Sequence, residues 1–130
     1  MANNPSSIRT ATAKVRHLGS AHAGTHHAWR MRITSLALVP LTIAFVWIVL
    51  SLIGKDHATV RSTLGHPFVA ILMLLFVPTG VYHMMLGMQT IIDDYIHGEH
   101  AKTFTLMANM FFCAIVGLAC VYAILRLSFV

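Results

Sequence analysis

Three long apolar segments dominate the chain, and short polar stretches separate them. The segments run from Ile33 to Ile53, from about Pro67 to Ile92 and from about Phe104 to Leu125, and they contain no Lys, Arg, Asp or Glu. Each exceeds the ~20 residues that a helix needs to cross a hydrocarbon core of ~30 Å. Because lipid offers no hydrogen bonds to an open sheet, only helices suit such segments. The pattern predicts an all-α membrane protein with three transmembrane helices at about residues 33–53, 67–92 and 104–126.

The polar remainder divides the chain into a tail and a membrane domain. Residues 1–32 are predicted to form a basic tail with a short membrane-entry segment, and residues 33–130 a three-helix anchor domain. The tail has no acidic residue, and its bases are Arg9, Lys14, Arg16, Arg30 and Arg32. Such a tail is typical of a disordered arm or of a transit peptide. The positive-inside rule predicts a cytoplasmic N-terminus and therefore a periplasmic C-terminus.

Composition supports the membrane assignment and narrows the possible partners. Of the 130 residues, 57% are hydrophobic and only 10% are charged, whereas a soluble domain averages about 25% charged residues. The net charge of +5 is not arranged as a basic stripe between stacking aromatics, so no nucleic-acid partner is expected. Anionic lipid head groups or an acidic protein partner suit this charge better. Cys113 and Cys120 are expected to be apolar packing residues.

His83 lies near the middle of the second apolar segment, where polar side chains are costly and usually functional. At about 100° per residue, five residues fall on the same helix face as His83: Phe76, Gly80, Gly87, Thr90 and Asp94. Gly80 and Gly87 lie on either side of the imidazole along the axis. These glycines leave room for a flat ligand or for a neighbouring helix. His83 is therefore either a metal ligand or a hydrogen-bonding group in a helix interface.

A metal at His83 would need a ligand from elsewhere. His66 is about 25 Å away along the helix, and zinc would require three or four clustered ligands. Haem requires only one axial histidine from each of two helices, so the second could come from a partner subunit. In that case Gly80 and Gly87 are predicted to lie next to the haem.

The far end of the same segment carries Asp94 and Tyr95, about 15–18 Å along the axis from His83. Tyr is common at this depth as an interfacial anchor, and acids also end helices. Arg32 approaches the same membrane surface from the first segment. A quinone needs an apolar pocket with one or two hydrogen-bond donors at its wet edge. A Tyr hydroxyl and an Arg would provide such donors, and the carboxylate could hold them in place or relay protons.

The stretch "HMMLGMQTIIDDY" resembles the hydrophobic membrane-anchor subunit of succinate dehydrogenase. The shared pattern is a histidine, a glycine four residues later and an Asp-Tyr pair, here His83, Gly87, Asp94 and Tyr95. The continuation "DYIHGE" is similar to mitochondrial-type members. In "GTHHAWRMRITS", a His, an Arg six residues on and a Thr two residues beyond it also match the family. The signatures of the companion anchor subunit, such as a Ser-x-x-His-Arg run, are absent from the sequence. Asp93 before Asp94, and Gln89 where some members have Trp, depart from the pattern.

The resemblance implies specific roles for these residues. His83 would be an axial ligand of haem b, and the companion anchor subunit would supply the other ligand. Tyr95 would hydrogen-bond the ubiquinone head group with support from Asp94. Arg32 would contribute to the polar environment of the quinone or of the haem propionates.

The resemblance also implies a division of labour within succinate dehydrogenase. Succinate is oxidised at FAD in the flavoprotein subunit, and the iron–sulfur clusters of a second soluble subunit pass the electrons to ubiquinone. This chain has neither the cysteine sets for clusters nor a dinucleotide fingerprint. Its expected role is to anchor the complex in a bacterial inner membrane, with a mitochondrial inner membrane as the weaker alternative. A fumarate reductase-type anchor and a cofactor-free membrane scaffold remain alternative interpretations.

Overall fold

The computed structural model describes residues 21–129, with side chains from Gly24 onward. In chain order the helices of this range are α1 (Ala21–Leu52), α2 (His57–Gly65), α3 (Pro67–Tyr95) and α4 (Glu99–Phe129). No strand occurs between residues 21 and 129. Helices α1, α3 and α4 are long and apolar enough to cross a membrane. The all-α class with three membrane-crossing helices is therefore confirmed, and the orientation of the termini stays a prediction.

Helix α1 begins at Ala21, well before the predicted start at Ile33. The apolar segment cannot be extended back through Arg30 and Arg32, because these residues are charged. A helix can nevertheless continue through them, because Ala, Met and Arg favour helix. Extending an existing helix also avoids the cost of nucleation. The last part of the predicted tail is thus part of α1, and its first part, residues 1–20, lies outside the described residues.

Helix α2 forms in the connection that the hydrophobicity pattern left without structure. Gly54 follows the end of α1 with a positive φ of 75°, a conformation that glycine adopts without strain. Asp56 then caps α2, because its carboxylate accepts hydrogen bonds from the backbone N–H and the hydroxyl of Thr59. The bonds from Thr59, that of the hydroxyl first, lower the pKa of the Asp56 carboxyl below its usual value.

The start of α3 agrees with the predicted start at Pro67. His66 caps the helix, since its Nδ1 accepts a hydrogen bond from the backbone N–H of Phe68 at 3.3 Å. Pro67 occupies the first turn, where the missing N–H costs nothing. These two residues turn the chain from α2 into the second span.

Helix α3 is the central element of the fold, because α1 and α4 each pack extensively against it. All the buried apolar side chains of the described range belong to α3 or α4: Ala70, Met73, Leu86, Ile92 and Cys113. The membrane-crossing part of α1 has no buried residue. Large apolar side chains such as Leu36, Trp47 and Phe111 are exposed instead, which suits contact with lipid or with another protein chain.

The α3–α4 interface is close-packed and mostly apolar. A Cβ placed on Gly117 would lie 3.5 Å from Val81, so the two helices approach each other closely at this point. Asn109 donates a hydrogen bond from Nδ2 to the backbone carbonyl of Met85 at 3.1 Å. Cys113 is buried nearby, and both it and Cys120 are free thiols, in agreement with their expected packing role.

The α1–α3 interface pairs the two helices in antiparallel order, and the membrane-crossing part of α1 has no buried residue in it. The rings of Phe45 and Phe76 stack with centroids 4.6 Å apart. Further along, Leu38 lies against Gly80, and two histidine–threonine contacts follow. Both helices contain an internal proline, Pro40 in α1 and Pro78 in α3. Because both prolines fall between the Phe45–Phe76 and Leu38–Gly80 pairs, they lie at similar depth.

Candidate functional site

His83 is half-buried in the interface between α3 and α1. Its Nδ1 lies 2.9 Å from the hydroxyl oxygen of Thr34, at hydrogen-bond distance. The same hydroxyl lies 2.9 Å from the carbonyl oxygen of Arg30 and 3.0 Å from that of Met31, one turn back in α1. No residue in the described range forms a hydrogen bond with Nε2 of His83. One ring nitrogen is therefore held by α1, and the other is available to a ligand.

The two glycines predicted to flank His83 have different surroundings. A Cβ at Gly80 would lie 3.8 Å from the side chain of Leu38, so Gly80 belongs to the α1–α3 packing. A Cβ at Gly87 would meet nothing within 4 Å, so this position faces open space beside His83. Four residues of the face predicted from helical periodicity contact α1: Phe76, Gly80, His83 and Thr90. Space next to this face remains at Gly87.

An open cavity of 470 Å³ lies on another flank of the α1–α3 pair. Its lining combines apolar and polar side chains: His26, His27, Arg30, Tyr82, Met85, Leu86 and Gln89. His27 is half-buried there, and its Nε2 lies 3.2 Å from the Thr90 hydroxyl. His27 falls within the predicted tail, and the early start of α1 explains why it instead contacts α3.

The end of α3 separates the two adjacent acids into different environments. Asp93 forms an ion pair with Lys102 at 2.8 Å, and Lys102 also donates to the Asp93 backbone carbonyl at 3.5 Å. Both side chains are at least one-third exposed, so this pair adds at most about 1 kcal/mol, and it mainly fastens the turn between α3 and α4. Asp94 and Tyr95 are exposed beside it, with Tyr95 77% accessible.

Arg32 is not brought next to Tyr95 within this chain. It is exposed on α1 and lies two residues from Thr34, so its depth is close to that of His83. Tyr95 lies twelve positions beyond His83, about 18 Å along α3. Relative to Thr34, Arg32 is turned by about 160° around α1, away from α3. It borders a separate open cavity of 510 Å³ that also includes Trp29.

The arrangement provides one potential metal ligand near the middle of α3 and an exposed Asp-Tyr pair at its end. Within the described residues, no three His, Cys, Asp or Glu side chains come together in a way that could hold a metal ion. His83 thus suits a group that takes a single ligand from each chain, and the open space at Gly87 would admit a planar one.

Comparison with known proteins identifies the family. Residues 6–121 match the sequence model of the succinate dehydrogenase/fumarate reductase transmembrane subunit family. The chain belongs to this family. The predicted identification as a succinate dehydrogenase hydrophobic membrane-anchor subunit is confirmed.

Relatives from several organisms are named as membrane anchor subunits of succinate dehydrogenase. The succinate dehydrogenase hydrophobic membrane anchor subunit of Paracoccus denitrificans is 37% identical over 111 residues, which cover 85% of each chain. That of Rickettsia bellii is 31% identical over 117 residues, covering 90% of this chain and 94% of the relative. The succinate dehydrogenase membrane anchor subunit of Reclinomonas americana is 29% identical over 94 residues, covering 70% and 78% respectively. No solved structure matches the chain significantly.

For this succinate dehydrogenase anchor, sequence reasoning named His83 but did not assign a role to Thr34. Thr34 appeared only as the last position of the pattern in the "GTHHAWRMRITS" segment, and its helical position was unknown because α1 was expected to begin at Ile33. The signal that could have found it is the spacing from His27, since seven residues are two turns on one face. Both residues contact α3.

Proposed function

We propose that this chain anchors succinate dehydrogenase in a bacterial inner membrane and takes part in the transfer of electrons to ubiquinone. It would tether the flavoprotein and iron–sulfur subunits of the enzyme and would pair with a companion anchor subunit. Its family membership and the three membrane-crossing helices support this role. The exposed apolar surface of α1 and α4 supports a further subunit next to these helices.

In this proposal His83 is one axial ligand of haem b, and the companion anchor supplies the other. The observation that carries it is the half-buried imidazole with Nδ1 at Thr34 and no hydrogen bond to Nε2 from the described residues. When bound, haem b supplies a one-electron redox centre within the membrane. Gly87 leaves space for the macrocycle beside His83, and Gly80 brings α1 close enough to hold the ring.

Replacing His83 tests the haem proposal. The purified complex with His83→Ala is expected to lose the b-type band in its reduced-minus-oxidised spectrum, because the methyl side chain of alanine cannot coordinate iron. His97→Ala is the matched control, since His97 is exposed in the turn between α3 and α4. A full b-type band in His83→Ala, or none in the unmodified complex, would contradict the proposal.

Tyr95 and Asp94 are proposed to form this chain's part of the ubiquinone site. The Tyr95 hydroxyl is exposed at the end of an apolar helix, where it could donate to a quinone carbonyl without carrying charge. The adjacent Asp94 carboxylate is also exposed and could orient the hydroxyl or pass protons to a reduced quinone. The Asp93 carboxylate forms an ion pair with Lys102, which leaves Asp94 as the acid for this role.

Tyr95→Phe is expected to slow ubiquinone reduction by about 10- to 100-fold, because it removes a hydrogen bond to the reacting carbonyl. Reduction of an artificial dye by the soluble subunits should change little, since these electrons leave before the membrane site. Tyr122→Phe is the control, because Tyr122 is an exposed tyrosine near the other end of the membrane domain. Unchanged quinone kinetics in Tyr95→Phe would remove this residue from the site.

Arg32 is proposed to contribute a polar contact to a haem propionate or to the quinone. Its depth near His83, about 18 Å from Tyr95 along the axis, favours the propionate. In that case Arg32 would bind an anion at the edge of the haem rather than the quinone carbonyl.

Two other functions lead to different results in these experiments. A fumarate reductase-type anchor has the same family description, but the curated relatives are named for succinate dehydrogenase, which favours succinate oxidation. A cofactor-free scaffold is favoured by the Thr34–His83 contact itself, which would join two helices without any ligand. The scaffold predicts no haem band and an unchanged spectrum in His83→Ala.

A further inference from the structure

The Thr34 hydroxyl stands between the backbone of α1 and the imidazole of His83. We propose that Thr34 is a positioning residue that fixes the tautomer and the orientation of His83, so that Nε2 presents its lone pair to the haem iron. This inference rests on the proposed haem function. It adds a role for a residue on another helix that touches neither the iron nor the substrate.

The direction of the hydrogen bonds follows from the single proton of the Thr34 hydroxyl. The oxygen lies 2.9 Å from the Arg30 carbonyl and 3.0 Å from the Met31 carbonyl, and carbonyls only accept hydrogen bonds. The hydroxyl proton therefore points back toward the α1 backbone, as is common for threonine in a helix. Its lone pair is then directed to Nδ1 of His83 at 2.9 Å, and this arrangement assigns the ring proton to Nδ1.

The protonation of Nδ1 determines what Nε2 can do. A neutral imidazole with its proton on Nδ1 has a lone pair on Nε2, which is the form that binds a metal. The two nitrogens lie on opposite sides of the ring, so Nε2 points away from Thr34. The reverse tautomer would place a proton on Nε2 and would require the Thr34 hydroxyl to leave its backbone acceptors.

The contact also restrains the ring mechanically. Imidazole rotates about a broad side-chain torsion unless a second contact holds it. Thr34 belongs to a different helix, and the Leu38–Gly80 contact one turn away keeps that helix close. Metal-bound histidines usually donate their other N–H to such an acceptor, which orients the ring and increases its basicity. A more basic ligand stabilises ferric haem, so loss of the hydroxyl should raise the reduction potential.

Variants of the intact complex separate the hydroxyl from the shape of the side chain. Thr34→Val keeps the shape without the hydroxyl, Thr34→Ala removes both, and Thr34→Ser keeps the hydroxyl. Thr42→Val is the matched control, because it makes the same chemical change at an exposed position of the same helix. The measurements are the electron paramagnetic resonance g values of the ferric haem, its midpoint potential and the rate of haem transfer to apomyoglobin.

Thr34→Val and Thr34→Ala are expected to assemble with haem, to shift the g values and to raise the midpoint potential. Haem transfer should become faster by about tenfold or more, the usual effect of removing a partner of a metal ligand. Thr34→Ser should restore all three properties, and Thr42→Val should not change them. Packing alone would not give rescue by serine together with a change of potential.

Three results would overturn the inference. The first is an unchanged spectrum, potential and transfer rate in both hydroxyl-free variants, with haem still lost in His83→Ala. The second is a shift in Thr34→Ser as large as that in Thr34→Val. The third is loss of assembly in both hydroxyl-free variants while Thr42→Val assembles, because Thr34 would then serve folding. If the unmodified complex has no b-type haem, the proposed function itself fails, and this result is distinct from the other three.

Discussion

Helix α3 has one face packed against α4 and another packed against α1, and the two interfaces differ in kind. On the α4 side Cys113 is buried, and Gly117 allows a close approach to Val81. On the α1 side the contacts are one aromatic stack and two histidine–threonine pairs, and the membrane-crossing part of α1 has no buried residue. The α4 interface combines small and apolar groups with the Asn109 hydrogen bond, whereas the α1 interface contains the two histidine–threonine pairs.

A small membrane subunit can separate stability from function in this way. Apolar side chains gain little by leaving lipid for a helix interface, so association depends on close packing and on a few hydrogen bonds. The α4 side meets both conditions within this chain. The α1 side leaves His83 half-buried next to the open space at Gly87.

The largest stability effect should arise on the α4 side, at Gly65. A Cβ at this position would lie 2.7 Å from the backbone carbonyl oxygen of Leu127, so Gly65→Ala must push α2 away from α4. We expect a loss of about 1–3 kcal/mol, the usual cost of overpacking. It would appear as a lower melting temperature of the purified complex. Gly24→Ala is the control, because nothing lies within 4 Å of a Cβ placed there, and an equal effect of the two changes would argue against the steric explanation.

Smaller losses of stability are expected when single hydrogen bonds are removed, and they should differ between the two interfaces. Asn109→Ala removes the bond to the Met85 carbonyl and should cost about 1 kcal/mol, within the range for polar contacts between membrane helices. Thr90→Val removes the exposed contact with His27 and should cost less than about 0.5 kcal/mol. The two melting temperatures should therefore fall in that order. The reverse order would mean that α1 contributes more to stability than its exposure suggests.

The smallest effect concerns the cap of α2, which positions this helix against α4. The folded state lowers the pKa of Asp56 from its ordinary value of 3.8, so the cap stabilises α2 above about that pH and weakens as the pH falls further. Hydrogen exchange of the first amides of α2 should therefore be faster in Asp56→Ala. It should be nearly unchanged in Asp56→Asn, because asparagine is also a good cap. Equal exchange in Asp56→Ala and the unmodified chain would show that the cap does not hold the helix.

The sequence was sufficient for the three membrane helices because transfer into lipid depends on the summed hydrophobicity of a long segment. It was also sufficient for the shared face of Phe76, His83 and Thr90, since helical periodicity is a local property. The early start of α1 and the existence of α2 were missed because charged and polar residues end an apolar segment without ending a helix. Helix α2 in particular contains Thr, Val and Ser, which favour helix only weakly.

Contacts between helices could not be predicted from periodicity. The helical wheel placed His83 on a face with two glycines, but it did not show that α1 covers Gly80 and leaves Gly87 open. It also gave no reason to pair Thr34 with His83, because the alignment of two helices depends on where each begins and on how they pack. In the proposed function, the remaining parts of the haem and quinone sites would belong to other chains and would have no signal in this one.

The prolines Pro40 and Pro78 have a mechanical consequence for the α1–α3 pair. Each removes one backbone hydrogen bond from its helix, and the two weak points lie at similar depth, between the Phe45–Phe76 and Leu38–Gly80 contacts. Bending at this level would carry both helices together rather than slide one along the other. The segments beyond it, which contain Thr34 and His83, would then move as one rigid unit when the bilayer changes thickness.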